Sequence, residues 1–222
     1  MKYNHCYLFL YSFAQSRTNM DTVAENIIHT SHQKFKNFGI RSISVDDICN
    51  ELHISKKTFY SRFPQKECLI EAVLDYESQV STDNFEKTYK NKNAIDALII
   101  IIKDLKNSID KAPLTFHYDL EKYYPATFTK YKERQSSRIR NCFEINLRKG
   151  IEEGYYREDI DVELVSLFHS IQIRETFEQM QKASPKITKK QLVDFFIDLI
   201  VRLITNENGY KYMNENYYKL KD

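Results

Sequence analysis

Residues 43–70, ISVDDICNELHISKKTFYSRFPQKECLI, constrain the fold more than any other part of the chain, because their spacing spells two short helices, a tight turn and the start of a third helix. Ser44 stands three residues before Asp47, the separation at which a serine caps a helix and a carboxylate returns to the serine amide. Val45, Ile48, Cys49 and Leu52 then share one helical face. Ile54 lies in the turn, and Ser55 caps a second helix whose Phe59 points inward while Lys56, Lys57, Thr58 and Tyr60 crowd its N-terminal end. Free amides, the positive end of the helix dipole and two ammonium groups meet there. The major groove admits one helix and the duplex backbone is densely anionic, so the segment reads as a DNA-binding helix-turn-helix. Phosphate contacts would set its register, and Lys56, Lys57 and Thr58 are the candidates for reaching base edges.

The same residues resemble the TetR family of bacterial transcriptional regulators, whose pattern Tyr-x-x-Phe-x-x-Lys-x-x-Leu is met by Tyr60, Phe63, Lys66 and Leu69. The preceding helix, Thr22–Phe38, matches the family's first helix: Thr22 and Glu25 are at capping-box spacing, and Val23, Ile27, Ile28, Phe35 and Phe38 mark one apolar face before Gly39. The resemblance covers residues 20–72 closely. It departs at Leu52, His53 and Lys57, where the family commonly has small residues before the turn and a glycine after the first basic residue of the reading helix. Histidine tolerates left-handed backbone better than most residues, so His53 is compatible with the turn. Lys57 adds charge at the groove.

What the resemblance implies is an all-α protein with an N-terminal three-helix helix-turn-helix DNA-binding domain, residues 20–68, followed by a larger helical ligand-binding and dimerisation domain, residues 69–222. Residues 1–19 are expected to be a disordered extension. The implied partners are a double-stranded DNA operator, a second copy of the chain and a small-molecule effector, with no cofactor and no membrane. The expected DNA-binding residues are Ser44, Ser55, Lys56, Lys57, Thr58, Tyr60 and Lys66, with Ser44 and Lys66 on phosphates. Ser44 and Ser55 read equally well as caps that touch no DNA.

Composition suits this reading: 42% of the 222 residues are hydrophobic, and only 4 are Gly and 4 Pro, as in a compact helical protein. The formal net charge of +2 is small, so any attraction to DNA has to come from local clustering. Cys6, Cys49, Cys68 and Cys142 contain no C-x-x-C pair, which argues against a zinc knuckle or a disulfide framework and for reduced thiols in a cytoplasm. The apolar run 6–13 is too short to span a bilayer and lacks the features of a signal peptide, and Met20 is an alternative start.

Catalytic patterns are weak. His29 and His32 stand three apart with no third metal ligand nearby in sequence. Glu152, Glu153, Glu158, Asp159 and Asp161 surround the Gly154 break and read as turn and capping residues. No phosphate-binding glycine loop or nucleophile elbow occurs. A regulator, not an enzyme, is expected. The alternatives are an effector-binding helical protein without DNA affinity and a small-molecule enzyme in the C-terminal half.

Downstream, helical periodicity continues past Leu69 through Val73, Leu74 and Tyr76, and recurs in Ala94–Ile109 with Ile95, Leu98, Ile99, Ile102, Leu105 and Ile109 on one side. Further helices are expected at about 127–150, 162–183 and 189–205, followed by a polar, tyrosine-containing tail. Phe116, Tyr118, Tyr123, Tyr124, Phe128, Tyr131 and Phe143, with His169, are the candidate walls of an effector pocket, although aromatics at helical spacing are more often ordinary core. The helix around Phe196, Ile200 and Leu203 carries more apolar surface than one face can hide, so these residues, with Phe168 and Ile171, are the candidate dimer contacts.

Overall fold

The computed structural model describes residues 21–90, 92–109, 114–173, 177–184 and 186–218. The extension 1–19 lies outside the described residues. The elements are α1 (Thr22–Phe38), α2 (Val45–Leu52), α3 (Lys56–Arg62), α4 (Lys66–Lys90), α5 (Ala94–Ile109), α6 (Leu114–Tyr123), α7 (Pro125–Glu152), α8 (Val162–Ile171), α9 (Phe177–Ala183), α10 (Lys189–Ile204) and α11 (Glu207–Met213), which runs into a π-helical turn, Asn214–Tyr218. No strand occurs among the described residues beyond an isolated bridge between Tyr156 and Thr205. None of the described helices is long and apolar enough to cross a membrane.

The chain divides into two compact units, the first within residues 1–81 and 113–131, the second within 82–112 and 132–222. The boundary drawn between residues 68 and 69 therefore falls inside α4, and α6 joins the helix-turn-helix unit. The reason is burial: Phe116 and Leu120 of α6 and Tyr131 of α7 belong to the same core as Ile27, Ile28 and Phe35 of α1, Phe59 of α3 and Phe63 just after it, and Leu69, Ile70, Val73 and Leu74 of α4. Helices as short as α2 and α3 do not persist alone. Burying Phe59 and Phe63, each contributing about 1.5–3 kcal/mol, holds them in place.

Two expectations for α1 are corrected. Its cap is Asp21, whose carboxylate accepts the Val23 amide at 3.1 Å, and not Thr22, which is already helical. Phe38 is exposed instead of sharing the apolar face, because α1 ends there and the chain turns at Gly39.

In the second unit, Ile95, Leu98, Ile99 and Ile102 of α5 share a core with Phe143 and Leu147 of α7 and with Val193, Ile197, Ile200, Val201 and Ile204 of α10. Of the expected helix 162–183, α8 covers Val162–Ile171 and α9 covers Phe177–Ala183, and residues 174–176 lie outside the described residues. The tail is not merely polar, since α11 and its π-turn bury Met213 and Tyr217 in this core. Cys49 and Cys142 are free thiols and Cys68 is disulfide-bonded, so reduced thiols hold for the first two only.

One buried polar link ties α5 to α7. Asn146 donates to the Ala94 carbonyl at 2.9 Å, and the Tyr156 hydroxyl donates to Asn146 Oδ1 at 3.0 Å. Gly150 makes room for the Tyr156 ring, which a β-carbon at that position would overlap. A Gly150→Ala change gains roughly 1 kcal/mol of helix propensity but incurs an overpacking cost near the top of the usual range, about 3 kcal/mol. The expected result is a net loss of about 2 kcal/mol in urea unfolding.

Candidate nucleic-acid interface

The helix-turn-helix is built from caps. The Ser44 amide and hydroxyl both donate to Asp47 Oδ2, at 2.7 and 2.6 Å, while the Asp47 amide donates back to Ser44 Oγ at 3.1 Å. Those two donors hold the Asp47 carboxyl below its ordinary pKa. After α2 the chain reverses at His53, the only non-glycine residue with positive φ among the described residues, at φ 51° and ψ 39°. A histidine in this left-handed well closes the turn, as its tolerance of such backbone allows, and the Ile54 amide reaches the Cys49 carbonyl at 3.0 Å.

Ser55 then caps α3, accepting the Thr58 amide at 3.0 Å and pairing with the Thr58 hydroxyl at 2.9 Å. Lys56, Lys57 and Tyr60 are exposed around this end of the helix. Lys56 is paired with Asp46 of α2 at 2.8 Å, which raises its pKa, whereas Lys57 has no ion-pair partner among the described residues. The Tyr60 ring stands edge-on to Phe59 with centroids 5.4 Å apart. Lys57, Tyr60 and the Thr58 end of the cap are thus the groups of α3 left to meet a groove.

Lys66 does something else. Its ammonium donates to the carbonyls of Ile40, at 2.7 Å, and Ile43, and lies 5.6 Å above the Phe35 ring. Burial lowers its pKa. Two of its three N–H groups are thus engaged internally, because the loop between α1 and α2 leaves two carbonyls that helix bonding cannot satisfy. The other side of that loop is held by α6, where Asp119 Oδ2 accepts the Arg41 amide at 2.9 Å. Gly39 turns there at φ 83°, and a β-carbon would come within 2.8 Å of the Asp119 carboxylate. Sequence reading missed Arg41 and Asp119; the 78-residue separation of the pair leaves no local signal.

The aromatic candidates for an effector pocket fall in both units. Phe116, Tyr124, Phe128 and Tyr131 pack in the core of the first unit, Tyr118 and Tyr123 are exposed on α6, and Phe143 and His169 belong to the second unit. Phe143 and His169 do meet, with ring centroids 4.0 Å apart. Among the dimer candidates, Phe168 and Ile171 are exposed, Phe196 and Leu203 are half-buried, and Ile200 is 5% exposed in the subunit core. Ile200 thus faces α10's own core, while its neighbours Phe195 and Leu199 face out. His29 and His32 both stand edge-on to Tyr76.

Residues 27–73 match the sequence profile of the bacterial regulatory proteins of the tetR family. The fold is shared with solved structures. A transcriptional regulator from Cytophaga hutchinsonii ATCC 33406 is 17% identical, with a TM-score of 0.68 and coverage of 84% of this chain and 100% of that one. The reduced form of NemR from E. coli, 12% identical, has a TM-score of 0.63 with 84% and 100% covered. A regulator from Saccharomonospora viridis in complex with choline, 16% identical, has a TM-score of 0.60 with 83% and 98% covered. No curated protein sequence matches the chain.

His169 makes a pH signature. Burial pushes its pKa down to about 4, below the ordinary value of 6.5, so the folded chain keeps the ring neutral where an unfolded chain takes up a proton. Stability is complete above pH 6.5 and is lost as the pH falls from there towards 4. A His169→Phe variant keeps the stacking and removes the titration. Urea midpoints followed over this range should fall less steeply in the variant, by about 1–3 kcal/mol at the acid end.

Proposed function

We propose that this chain, a member of the TetR family of bacterial transcriptional regulators, is a dimeric repressor whose hold on an operator is released by a small molecule. The observation that carries this reading is α3: a capped helix, seated on buried Phe59, whose exposed N-terminal end offers Lys57, Thr58 and Tyr60 with Lys56 tethered beside them. Such an end suits the major groove, where ammonium groups and hydroxyls meet base edges and the amides of the first turn face phosphate. Two such heads on one dimer would occupy successive groove faces of a near-palindrome and exclude polymerase by bulk.

Dimerisation is supported by an inverted helix. On α8 the buried positions are polar, Ser166 and Ser170, while Leu164, Leu167, Phe168 and Ile171 are exposed. An apolar outer face of this kind, together with exposed Phe195 and Leu199 on α10, fits a second copy of the chain meeting it in two-fold symmetry. Release by an effector is supported by the fold shared with a regulator that holds choline. Phe143 stacked on the neutral ring of His169 is the place where we expect the ligand to be felt. A ligand that prefers one separation of the heads would shift the population away from the spacing the operator needs.

Selection from a random duplex pool should enrich a pseudo-palindrome. Lys57→Ala should then cost roughly 1–3 kcal/mol and relax preference at one position per half-site. Loss spread evenly over all sequences would instead make Lys57 a phosphate contact, and unchanged binding would remove α3 from the groove. For assembly, Phe168→Glu should convert a sedimenting dimer into a monomer of unchanged helicity, because a carboxylate and its symmetry mate cannot be buried unpaired. A wild-type chain that stays monomeric at micromolar concentration contradicts the dimer.

A further inference from the structure

The cations of the first unit are mostly committed. Lys34 pairs with Glu51, Lys36 with Glu77, Lys56 with Asp46, Arg62 with Asp21 and Lys130 with Glu71, and Lys66 is spent on the Ile40 and Ile43 carbonyls. Ser44, too, gives both its amide and hydroxyl protons to Asp47. Affinity for a duplex comes largely from cations that displace condensed counterions, and a lysine already neutralised by a carboxylate contributes less. Among the described residues of this unit, three lysines or arginines besides Lys66 have no carboxylate partner: Lys57 on the reading helix, Arg41 and Lys122.

Arg41 and Lys122 are seated on one strip of tyrosines. The Arg41 guanidinium donates to the Tyr123 hydroxyl at 2.5 Å and lies 4.8 Å from the centre of that ring. Lys122 donates to the Tyr118 hydroxyl at 2.7 Å and stands 5.1 Å from the Tyr118 ring and 5.5 Å from the Tyr123 ring. All four side chains are exposed. The nearby carboxylate, Asp119, is turned to the Arg41 amide and pairs with neither cation. Each tyrosine accepts a hydrogen bond from a cation and so keeps its own phenolic proton to donate. The strip therefore presents two unneutralised positive charges and two hydroxyl donors, held in place before any partner arrives. Arg41 is also three residues ahead of Ser44, the cap of the first helix of the motif.

We propose that Arg41 and Lys122, on Tyr123 and Tyr118, form a second clamp for the DNA backbone outside the helix-turn-helix. This rests on the DNA-binding reading above and adds a site to it. The clamp contacts phosphate only, so it strengthens binding to every sequence and chooses none.

The test is the salt dependence of duplex binding by the full chain, using both a duplex selected by the wild-type protein and a random-sequence pool. Arg41→Gln with Lys122→Gln should weaken both by the same factor, on the order of 10–100-fold, and make the slope of log affinity against log salt shallower by about 2, one phosphate for each cation. Arg41→Lys should restore its share of the slope. Tyr123→Phe separates charge from loop placement, because it keeps both cations and should leave the slope unchanged. An unaltered slope in the double variant, or a loss confined to the selected duplex, overturns the clamp while leaving the reading helix intact. A wild-type chain that enriches no sequence and binds no duplex overturns the DNA-binding reading itself, and the clamp with it.

Discussion

The first unit depends on a lysine that is not at its surface. Lys66 opens α4, yet its ammonium turns back to collect the carbonyls of Ile40 and Ile43 above the ring of Phe35. Burying part of a charge has a desolvation cost, visible in the lowered pKa, and the two carbonyls and the aromatic face offset it. The bond fixes the loop from which α2 starts. With Asp119 gripping the same loop through the Arg41 amide, the origin of the helix-turn-helix is pinned from α4 and from α6 at once.

Once that origin is set, local chemistry carries the motif forward. The Ser44 box starts α2, His53 ends it, and Ser55 starts α3. The serines satisfy amides and His53 satisfies carbonyls that helices of eight and seven residues leave unpaired. Phe59 and Phe63 then supply the burial that such short helices need to persist. The second unit solves a related problem differently, with Asn146 and the Tyr156 hydroxyl meeting the start of α5 inside the core. Its helix α8 reverses the usual arrangement, with serines inward and large apolar residues outward. That apolar outer face is what the proposed second copy of the chain would cover.

Reading by periodicity worked where a single face was in question. The apolar positions of α5 at Ile95, Leu98, Ile99 and Ile102 are buried as their spacing requires, although Leu105 on the same expected face is exposed, and α1 buries Ile27, Ile28 and Phe35. It failed where two faces compete, as on α10, where Ile200 went to the core and Phe195 to solvent. It failed also for the tyrosine-rich segment: Phe116 and Tyr131 are core residues of the first unit, and their sequence spacing carries no record of which helices they meet.

The chain by itself determined what depends on neighbours within about four residues: the Ser44 and Ser55 caps, the left-handed His53, the position of α3 and its exposed cations, and the all-helical class. Backbone amides and first-turn side chains interact at that range whatever the remainder of the protein does. Only the tertiary structure decided which cations are free. Lys66 is drawn inward by carbonyls 23 and 26 residues away, Lys56 is neutralised from α2, and Arg41 is propped on a tyrosine 82 residues further on. Charge is a property of the sequence, but its availability depends on the carboxylates and carbonyls that folding brings within hydrogen-bond distance.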